Sequence, residues 1–264
     1  MSMIIKFAGT ALLFYIIVVL FLYLNQRKFL YFSYSEIGTP AEYGLVGFDE
    51  ITLTTADGVN IATWYKKSSE NQPTFVYFHG NGGNLANRAN RFAILAEKGY
   101  GVLAVSYRGY GKSGGKSTEQ GLYEDARAAI KFAKNQDENI ILIGESLGTG
   151  VAIQMATEFD GLKGLVLDAP YESIEKVIKK KYFWLPLNLL LKDKYVSIDK
   201  IGNVKIPVLI LHGELDEIVL VSQGKAIYKT ANEPKKIVLY PEYYHVLPYG
   251  SVVDDIEKWL DNSN

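Results

Sequence analysis

The 264-residue chain contains no cysteine and only three histidines, His79, His212 and His245. The absence of cysteine excludes disulfides, thiolate metal sites and a cysteine nucleophile, although it does not fix the cellular compartment. A net charge of −1 leaves no basic excess, which argues against a nucleic-acid partner. Because histidine is scarce, a catalytic base of that type has to be one of three residues.

One long uncharged run stands out, at the N-terminus. It covers residues 7–24 and, at about 1.5 Å per residue, is just long enough to cross the hydrocarbon core of a bilayer. We predict a single transmembrane anchor over residues 1–28, with a cleaved signal peptide as the alternative. The flanking charges, Arg27 and Lys28 against Lys6, give only a small bias toward a cytoplasmic catalytic domain, so the side of the membrane stays open.

No linker, low-complexity tract or internal repeat divides the rest of the chain, so residues 29–264 are predicted to form one domain. Alternating apolar residues on either side of Asp57-Gly58 predict a β-hairpin over residues 48–65. Further along, short apolar runs alternate with helical patterns, which predicts a mainly parallel sheet with helices on both faces. The predicted strands are 74–78, 102–106, 140–143, 165–168, 208–211 and 237–240, and the predicted helices are 85–98, 120–135, 150–159, 222–230 and 252–260.

Residues 140–150 are the most informative part of the sequence. Apolar residues 140–143 predict a strand, Gly144-Glu145-Ser146-Leu147-Gly148 follows, and a helical pattern begins just beyond. A strand, a tight turn with a central serine, and a helix make up a nucleophile elbow. Such a turn strains the serine backbone and leaves room only for glycine two positions before and after it. Ser146 is therefore predicted to be the nucleophile, at a helix N-terminus that favours developing negative charge.

A serine nucleophile needs a base to take its proton and an acid to hold the tautomer of that base. In sheets that carry such an elbow, the acid and then the histidine follow the serine along the chain. His245 follows the last predicted strand, and Asp216 lies in the loop after the strand before it. We therefore predict that Ser146, Asp216 and His245 form a catalytic triad.

Other polar residues near these strand ends are alternatives. Asp168 ends a predicted strand and is the second-ranked acid, and Glu214 is the third. We interpret His212 as a structural residue that turns the chain toward Asp216. His79 precedes the serine and is also interpreted as structural.

The oxyanion hole requires backbone N–H groups that face the oxygen of the tetrahedral intermediate, each worth about a hundredfold or more in rate. We predict the N–H of Leu147, directly after the nucleophile, and the N–H of Asn81 in the glycine-rich loop 79–84. A second glycine-rich stretch, residues 109–117, does not match the Walker A spacing, so nucleotide binding is disfavoured.

The alternation of strands and helices breaks over residues 171–195. Apolar residues 183–191 lie there between lysine-rich flanks. Because this insertion follows a strand, we predict a small cap around residues 171–203 that lines the substrate cleft. Two alternatives remain: an ordinary amphipathic helix packed on the core, and a monotopic patch that dips into the bilayer beside the anchor.

Together these motifs resemble those of the α/β-hydrolase superfamily. The matching residues are the elbow, His79-Gly80, residues 107–113, residues 167–170, His212-Gly213 with Asp216, and His245. The apolar N-terminus followed by residues 27–31 is similar to the membrane-anchored abhydrolase-domain branch of that superfamily, and the resemblance extends from residue 29 to the C-terminus. It implies an α/β-hydrolase fold with an eight-stranded, mostly parallel sheet, no cofactor or metal, and hydrolysis of esters, thioesters or amides.

We therefore predict a serine hydrolase that cleaves carboxylic ester or thioester bonds through an acyl-enzyme. The apolar cap and the anchor favour small acyl or lipid-like substrates and contact with a membrane, while the oligomeric state stays open. One alternative is a serine peptidase of the prolyl-oligopeptidase-like type, but such enzymes usually carry a large gating domain for which this chain has no room. The other is a non-catalytic module with the same fold, which would lack a member of the triad.

Overall fold

An eight-stranded sheet forms the centre of the protein. The computed structural model describes residues 2–262, apart from the side chains of Ser2 and Ile4. Met1, in the predicted anchor, and residues 263–264, in the predicted hydrolase domain, lie outside the described residues. The strands are β1 (Asp49–Thr54), β2 (Asn60–Lys66), β3 (Thr74–Phe78), β4 (Gly101–Val105), β5 (Ile140–Glu145), β6 (Gly164–Asp168), β7 (Val208–Gly213) and β8 (Lys235–Tyr240). Across the sheet their order is β8-β7-β6-β5-β3-β4-β2-β1.

The sheet is mixed but mainly parallel. Every neighbouring pair from β8 to β4 is parallel, whereas β2 pairs antiparallel with both β1 and β4. Strands β3, β4, β6 and β7 are buried along their whole length, as parallel strands covered on both faces are. The prediction of a mostly parallel, eight-stranded sheet is confirmed, and so is the β1–β2 hairpin.

Helices cover both faces of the sheet. They are α1 (Ser2–Leu30), α2 (Ala89–Glu97), α3 (Glu119–Gln136), α4 (Leu147–Glu158), α5 (Ile174–Ile178), α6 (Leu187–Leu190), α7 (Ile198–Ile201), α8 (Val221–Thr230) and α9 (Tyr249–Asp261). Buried side chains of α3, α4, α7 and α8 join one apolar cluster, and those of α2 and α9 join another on the opposite face. The sheet therefore separates two hydrophobic cores.

The start of helix α4 agrees with the prediction of a helix N-terminus at the elbow. The helix starts at Leu147, immediately after Ser146 and three residues before the approximate bound of 150 that the apolar spacing gives. Gly148 and Gly150 carry no side chain that could show the helical period, and this explains the later bound. The free N–H groups of the first helical turn therefore lie directly next to Ser146.

The N-terminal helix α1 lies against the segment between β6 and β7. Residues 5–30 of this helix are long and apolar enough to cross a membrane. The chain leaves α1 and pairs in parallel, through Phe32–Ser33, with Gly82–Gly83 of the loop after β3. Helices α5, α6 and α7 lie in the segment 171–203, and the part that holds α5 and α6 contacts α1.

Candidate active site

The turn between β5 and α4 places Ser146 in a strained backbone conformation, with φ 49° and ψ −115°. A Cβ atom on Gly148 would overlap the carbonyl oxygen of Phe78 in the neighbouring strand, and one on Gly144 would lie 2.6 Å from the carbonyl oxygen of Gly148. The main-chain N–H of Ser146 donates to the carbonyl of Asp168, at 2.8 Å. The turn therefore has the geometry that the predicted elbow requires, with a strained serine and two glycines at which a side chain would clash.

Two loops bring an imidazole and a carboxylate to this serine. The Nε2 atom of His245 lies 3.0 Å from the Oγ of Ser146. Its Nδ1 atom lies 2.7 Å from Oδ2 of Asp216. The carboxylate is buried, while the imidazole is 19% exposed and can be reached from solvent. The three residues that the sequence singled out therefore form one hydrogen-bonded line.

The charges in this line determine the tautomer of the histidine. Burial opposes ionisation of Asp216, but hydrogen bonds from His212 and His245 hold the pKa of this carboxyl below its usual value. Because a carboxylate only accepts hydrogen bonds, Nδ1 of His245 carries the proton and Nε2 is free to accept from Ser146. Burial lowers the pKa of His245, but Asp216 outweighs it, so this pKa lies above the usual 6.5.

The loop that carries Asp216 packs tightly against the loop that carries His245. A Cβ on Gly213 would overlap the carbonyl oxygens of Tyr243 and Tyr244. The N–H of Leu215 donates to the carbonyl of Tyr243, at 3.0 Å. Glycine at the end of β7 therefore allows the close approach that joins the acid to the base.

His212 stabilises the acid loop from within. Its Nε2 donates to the carbonyl of Val219, at 2.8 Å, and lies 3.4 Å from Oδ2 of Asp216. The other carboxylate oxygen, Oδ1, accepts the N–H groups of Ile218 and Val219, at 2.8 and 2.9 Å. Because the ring is completely buried and does not contact the serine, the structure is consistent with the structural role predicted for His212.

The two residues predicted to supply the oxyanion hole lie on the loop after β3 and at the start of α4. The carbonyl of Asn81 accepts from the N–H of Phe32 and the hydroxyl of Tyr110, at 3.0 and 2.8 Å. Its side-chain amide donates to the carbonyl of Leu30, at 3.1 Å. Within residues 2–262, the main-chain N–H groups of Asn81 and Leu147 donate to no protein acceptor. Neither amide is therefore bound by a protein acceptor within these residues, as the prediction of an oxyanion hole requires.

Comparisons with known proteins agree with this geometry. A family model described as serine aminopeptidase, S33, matches residues 69–198 and 196–249. The chain belongs to this family. Sequence relatives include an uncharacterized protein of Mycobacterium tuberculosis, 35% identical over 92% of this chain and 90% of its own length, and protein bem46 of Schizosaccharomyces pombe, 31% identical over 88% and 84%.

Solved structures share the fold. An esterase of Pyrococcus furiosus superposes with a TM-score of 0.69 over 87% of this chain and 92% of its own, at 23% identity. The esterase domain of a Rhodothermus marinus protein superposes with a TM-score of 0.62 over 80% and 97%, at 21% identity. At these identities the likeness establishes the α/β-hydrolase fold of this family member, while its chemistry has to be argued from its own residues.

The alternative acids are not placed to orient His245. Asp168 lies 3.5 Å from Arg91 and makes no hydrogen bond to His245, and burial raises the pKa of this carboxyl to about 6. Glu214 faces Lys225, at 3.8 Å, at the protein surface. His79, the remaining histidine, is fully buried, and its burial beside Arg88 lowers its pKa to about 3. Geometry therefore favours Asp216, and it leaves His79 neutral and structural.

A buried ion network beside the elbow was missed in the sequence. Glu145, the residue before the serine, accepts from Arg88 and Arg91, each at 2.8 Å, and from the hydroxyl of Tyr77, at 2.7 Å. Burial opposes ionisation of Glu145, but Arg91 and Arg88 hold its pKa below the usual value. Arg88 also donates to the carbonyl of Gly82, at 2.5 Å, so it ties the elbow to the loop that carries Asn81.

One signal of this network is present in the sequence. A glutamate two residues beyond a predicted buried strand, here 140–143, has to be paired if it is buried and is to stay charged. Arg88 and Arg91 are three residues apart on a predicted helix, and they supply that pair from one helical face. We infer that the three residues position the elbow and the loop after β3 relative to each other.

Proposed function

We propose that the protein is a serine hydrolase that cleaves carboxylic ester or thioester bonds through Ser146, His245 and Asp216. The observation that carries this proposal is the continuous line from Ser146 Oγ to His245 Nε2, at 3.0 Å, and from His245 Nδ1 to Asp216 Oδ2, at 2.7 Å. A base within hydrogen-bond reach of a hydroxyl, and itself oriented by a buried carboxylate, is the arrangement that activates serine as a nucleophile.

The reaction proceeds in two steps. Nε2 of His245 takes the hydroxyl proton while Ser146 Oγ attacks the carbonyl carbon, and the N–H groups of Asn81 and Leu147 bind the oxyanion. The imidazolium, stabilised by Asp216, then gives its proton to the departing alkoxide or thiolate, which leaves the acyl group on Ser146. In the second step His245 takes a proton from water and the hydroxide attacks the acyl-enzyme. The tetrahedral intermediate then collapses, the imidazolium returns its proton to Ser146 Oγ, and the carboxylic acid product leaves.

Ester cleavage is favoured over aminopeptidase activity, although the family description names an aminopeptidase. An aminopeptidase has to hold the free ammonium group of its substrate, which requires an accessible carboxylate near the serine. Glu145 next to the elbow is bound by Arg88 and Arg91. Asp168, whose main chain contacts Ser146, is 3% exposed. Neither carboxylate adjoining the elbow is available to an amino terminus.

The same geometry argues against a non-catalytic module. A binding protein has no need to hold a serine hydroxyl, an imidazole and a carboxylate in one line or to strain the serine backbone, which costs about 1–3 kcal/mol. All three groups are present here, and Ser146 is one of four non-glycine residues with positive φ in the part of the chain that the structure describes.

We also infer that residues 1–28 anchor the protein in a membrane and that residues 29–264 form a hydrolase domain whose cap covers 171–203. The end of α1 supports an anchor over a cleaved signal peptide. Arg27 forms a 2.7 Å ion pair with Asp193, and Tyr31 shares a 3.0 Å hydrogen bond with Tyr195. A segment removed after export would leave a buried carboxylate without its partner.

The test is the hydrolysis of p-nitrophenyl acetate and of leucine p-nitroanilide by the full chain in detergent. We expect turnover of the ester and little of the anilide, and a loss of about 10⁴-fold or more in Ser146→Ala. Ser222→Ala, a substitution of an exposed serine, serves as the matched control and should keep the wild-type rate. Unchanged ester hydrolysis in Ser146→Ala would contradict the proposal, and a preference for the anilide would favour the peptidase.

A further inference from the structure

An apolar pocket lies between α1 and the cap, outside the catalytic triad. Its cavity volume is about 120 Å³, and it is open on one side. Residues of both elements line it, among them Leu22, Phe29 and Leu30 of α1 and Ile174, Leu187 and Leu190 of the cap. We propose that this pocket binds the hydrocarbon chain of a lipid ester, which enters from the bilayer; the inference rests on the hydrolase function proposed above.

The polar groups of the pocket wall have little to offer a polar ligand. The amide of Gln26 donates to the carbonyl of Leu190, at 3.1 Å, and accepts the N–H of Lys192, at 2.8 Å. Asp193 accepts from Arg27, at 2.7 Å. The other two polar lining residues are tyrosines, whose rings are mostly apolar. A ligand that needs no hydrogen bonds therefore fits best, and an alkyl chain is such a ligand.

The pocket lies where α1 emerges from the predicted membrane span. The lining residues of α1 fall between positions 22 and 30, in the last turns of the helix. The cap contacts α1 further toward its N-terminal end as well, because the hydroxyl of Tyr15 donates to the carbonyl of Trp184, at 3.3 Å. At about 1.5 Å per residue, this contact lies roughly 15 Å along the helix from residue 25, within the hydrocarbon depth of a bilayer.

The outer surface of the cap has the composition of a membrane-facing surface. Phe183 and Leu189 are 81% and 78% exposed, and Trp184 is 41% exposed. Exposed lysines, residues 179–181, precede them. Large apolar side chains beside lysines are typical of segments that insert into the interface of an anionic bilayer. A chain from a bilayer lipid can therefore move into the pocket without crossing water.

The pocket wall is joined to the loop that carries the expected oxyanion donor. Leu30 lines the pocket, and its carbonyl accepts the side-chain amide of Asn81, at 3.1 Å. Two residues further on, the N–H of Phe32 donates to the main-chain carbonyl of Asn81, at 3.0 Å. In this proposal, the carbonyl end of an alkyl chain held between α1 and the cap points toward the Asn81 loop.

The experiment compares p-nitrophenyl palmitate with p-nitrophenyl acetate on the full chain in phosphatidylcholine nanodiscs. We expect wild type to prefer palmitate in kcat/KM, and Leu190→Trp, which fills the pocket, to lower the palmitate value at least about tenfold while acetate changes by less than about twofold. Leu189→Trp is the matched control, because Leu189 lies in the same short helix, points outward and does not line the pocket. It should leave both values near wild type.

If the ratio of kcat/KM for palmitate to that for acetate were equal in wild type and Leu190→Trp, the inference that the pocket binds the alkyl chain would be wrong, while the proposed hydrolase function would stand. A second measurement does not depend on turnover. A diazirine analogue of palmitate, photolysed with Ser146→Ala in the same nanodiscs, should label peptides from both α1 and residues 174–191, and Leu190→Trp but not Leu189→Trp should reduce that labelling. Labelling that is identical in the two tryptophan variants would contradict the inference even if no ester were hydrolysed.

Discussion

The proposed catalytic corner, formed by Ser146, Asp216 and His245, differs from the helix–cap corner, formed by α1 and residues 171–203, in how its parts are held. We call the first of these the catalytic corner. In the catalytic corner, hydrogen bonds of 2.7 and 3.0 Å join side chains, and the serine backbone is strained. In the helix–cap corner, apolar side chains line a pocket, and the hydrogen bonds between the two elements lie around that pocket and hold its walls together.

The difference follows from what each corner has to do. Reacting atoms have to be aligned closely, and a misplacement of about 1 Å can cost about a hundredfold in rate. Binding of hydrocarbon is non-directional and scales with the apolar area that is covered. Substitutions in the catalytic corner should therefore stop the reaction for every substrate, whereas substitutions in the helix–cap corner should change which substrates are used.

The largest expected effect is the loss of the histidine base. His245→Ala should lower kcat for p-nitrophenyl acetate by about 10⁴- to 10⁶-fold, and Asp216→Asn by about 10⁴-fold, because the imidazole is then absent or held in the wrong tautomer. Glu214→Gln, in the same loop as Asp216, is the matched control and should stay within about twofold of wild type. If Asp168→Asn instead proved as damaging as Asp216→Asn, Asp216 would not be the sole acid.

The next effect concerns the backbone of the elbow. Gly148→Ala places a methyl group against the carbonyl of Phe78, where no side chain can move aside, so we expect a loss of about 3 kcal/mol or more in the free energy of unfolding. Gly250→Ala in α9 meets no atom within 4 Å and should change that energy by less than about 1 kcal/mol. Urea unfolding in detergent measures both, and equal stability of the two variants would contradict the packing described for the elbow.

The pH dependence of the reaction tests the catalytic corner through the titration of His245, and its expected effect is smaller. His245 acts as a base only when it is neutral, and its pKa lies above 6.5, so kcat/KM should fall about tenfold per pH unit below that pKa. Asp216→Asn removes the charge that raises this pKa and leaves burial to lower it, so the acid limb of the residual activity should move to lower pH. If the acid limb of Asp216→Asn stayed at the same pH as that of wild type, a group other than His245 would be responsible for it.

The smallest effect is expected in the helix–cap corner. Arg27→Met leaves the buried carboxylate of Asp193 without its ion-pair partner, so the free energy of unfolding should fall by about 1–3 kcal/mol. Hydrolysis of p-nitrophenyl acetate should be unchanged, because the triad is not touched. Lys28→Met is the matched control on the neighbouring exposed residue. Thermal unfolding in detergent is the measurement, and a large fall in acetate hydrolysis would show that the two corners are not separate.

The catalytic corner could be predicted because its signals are local. Ser146, Asp216 and His245 each follow a strand that is readable as an apolar run, and parallel strands bring their carboxyl ends to one edge of the sheet. The spacing of Gly144 and Gly148 specifies the turn between them. The late bound of 150 given to α4 arose where glycines hide the helical period, and the predicted strands 140–143 and 208–211 each end two residues early.

The helix–cap corner could not be predicted in the same way. Its contacts join residues more than 160 positions apart, such as Gln26 with Leu190, and leucine-rich stretches carry no mark of which partner they pack against. The network of Glu145 with Arg88 and Arg91 was missed for a related reason: the sequence shows the charges but not the helix face that pairs them.

The measurement that tests the central claim most directly is the site of covalent modification by a fluorophosphonate. The probe reacts only with an activated serine, and its adduct can be located by mass spectrometry of peptides. We predict one adduct per chain on Ser146, formed at a rate that falls steeply in His245→Ala. Ester hydrolysis that persists while Ser146 stays unmodified, or an adduct on another serine, would contradict the account.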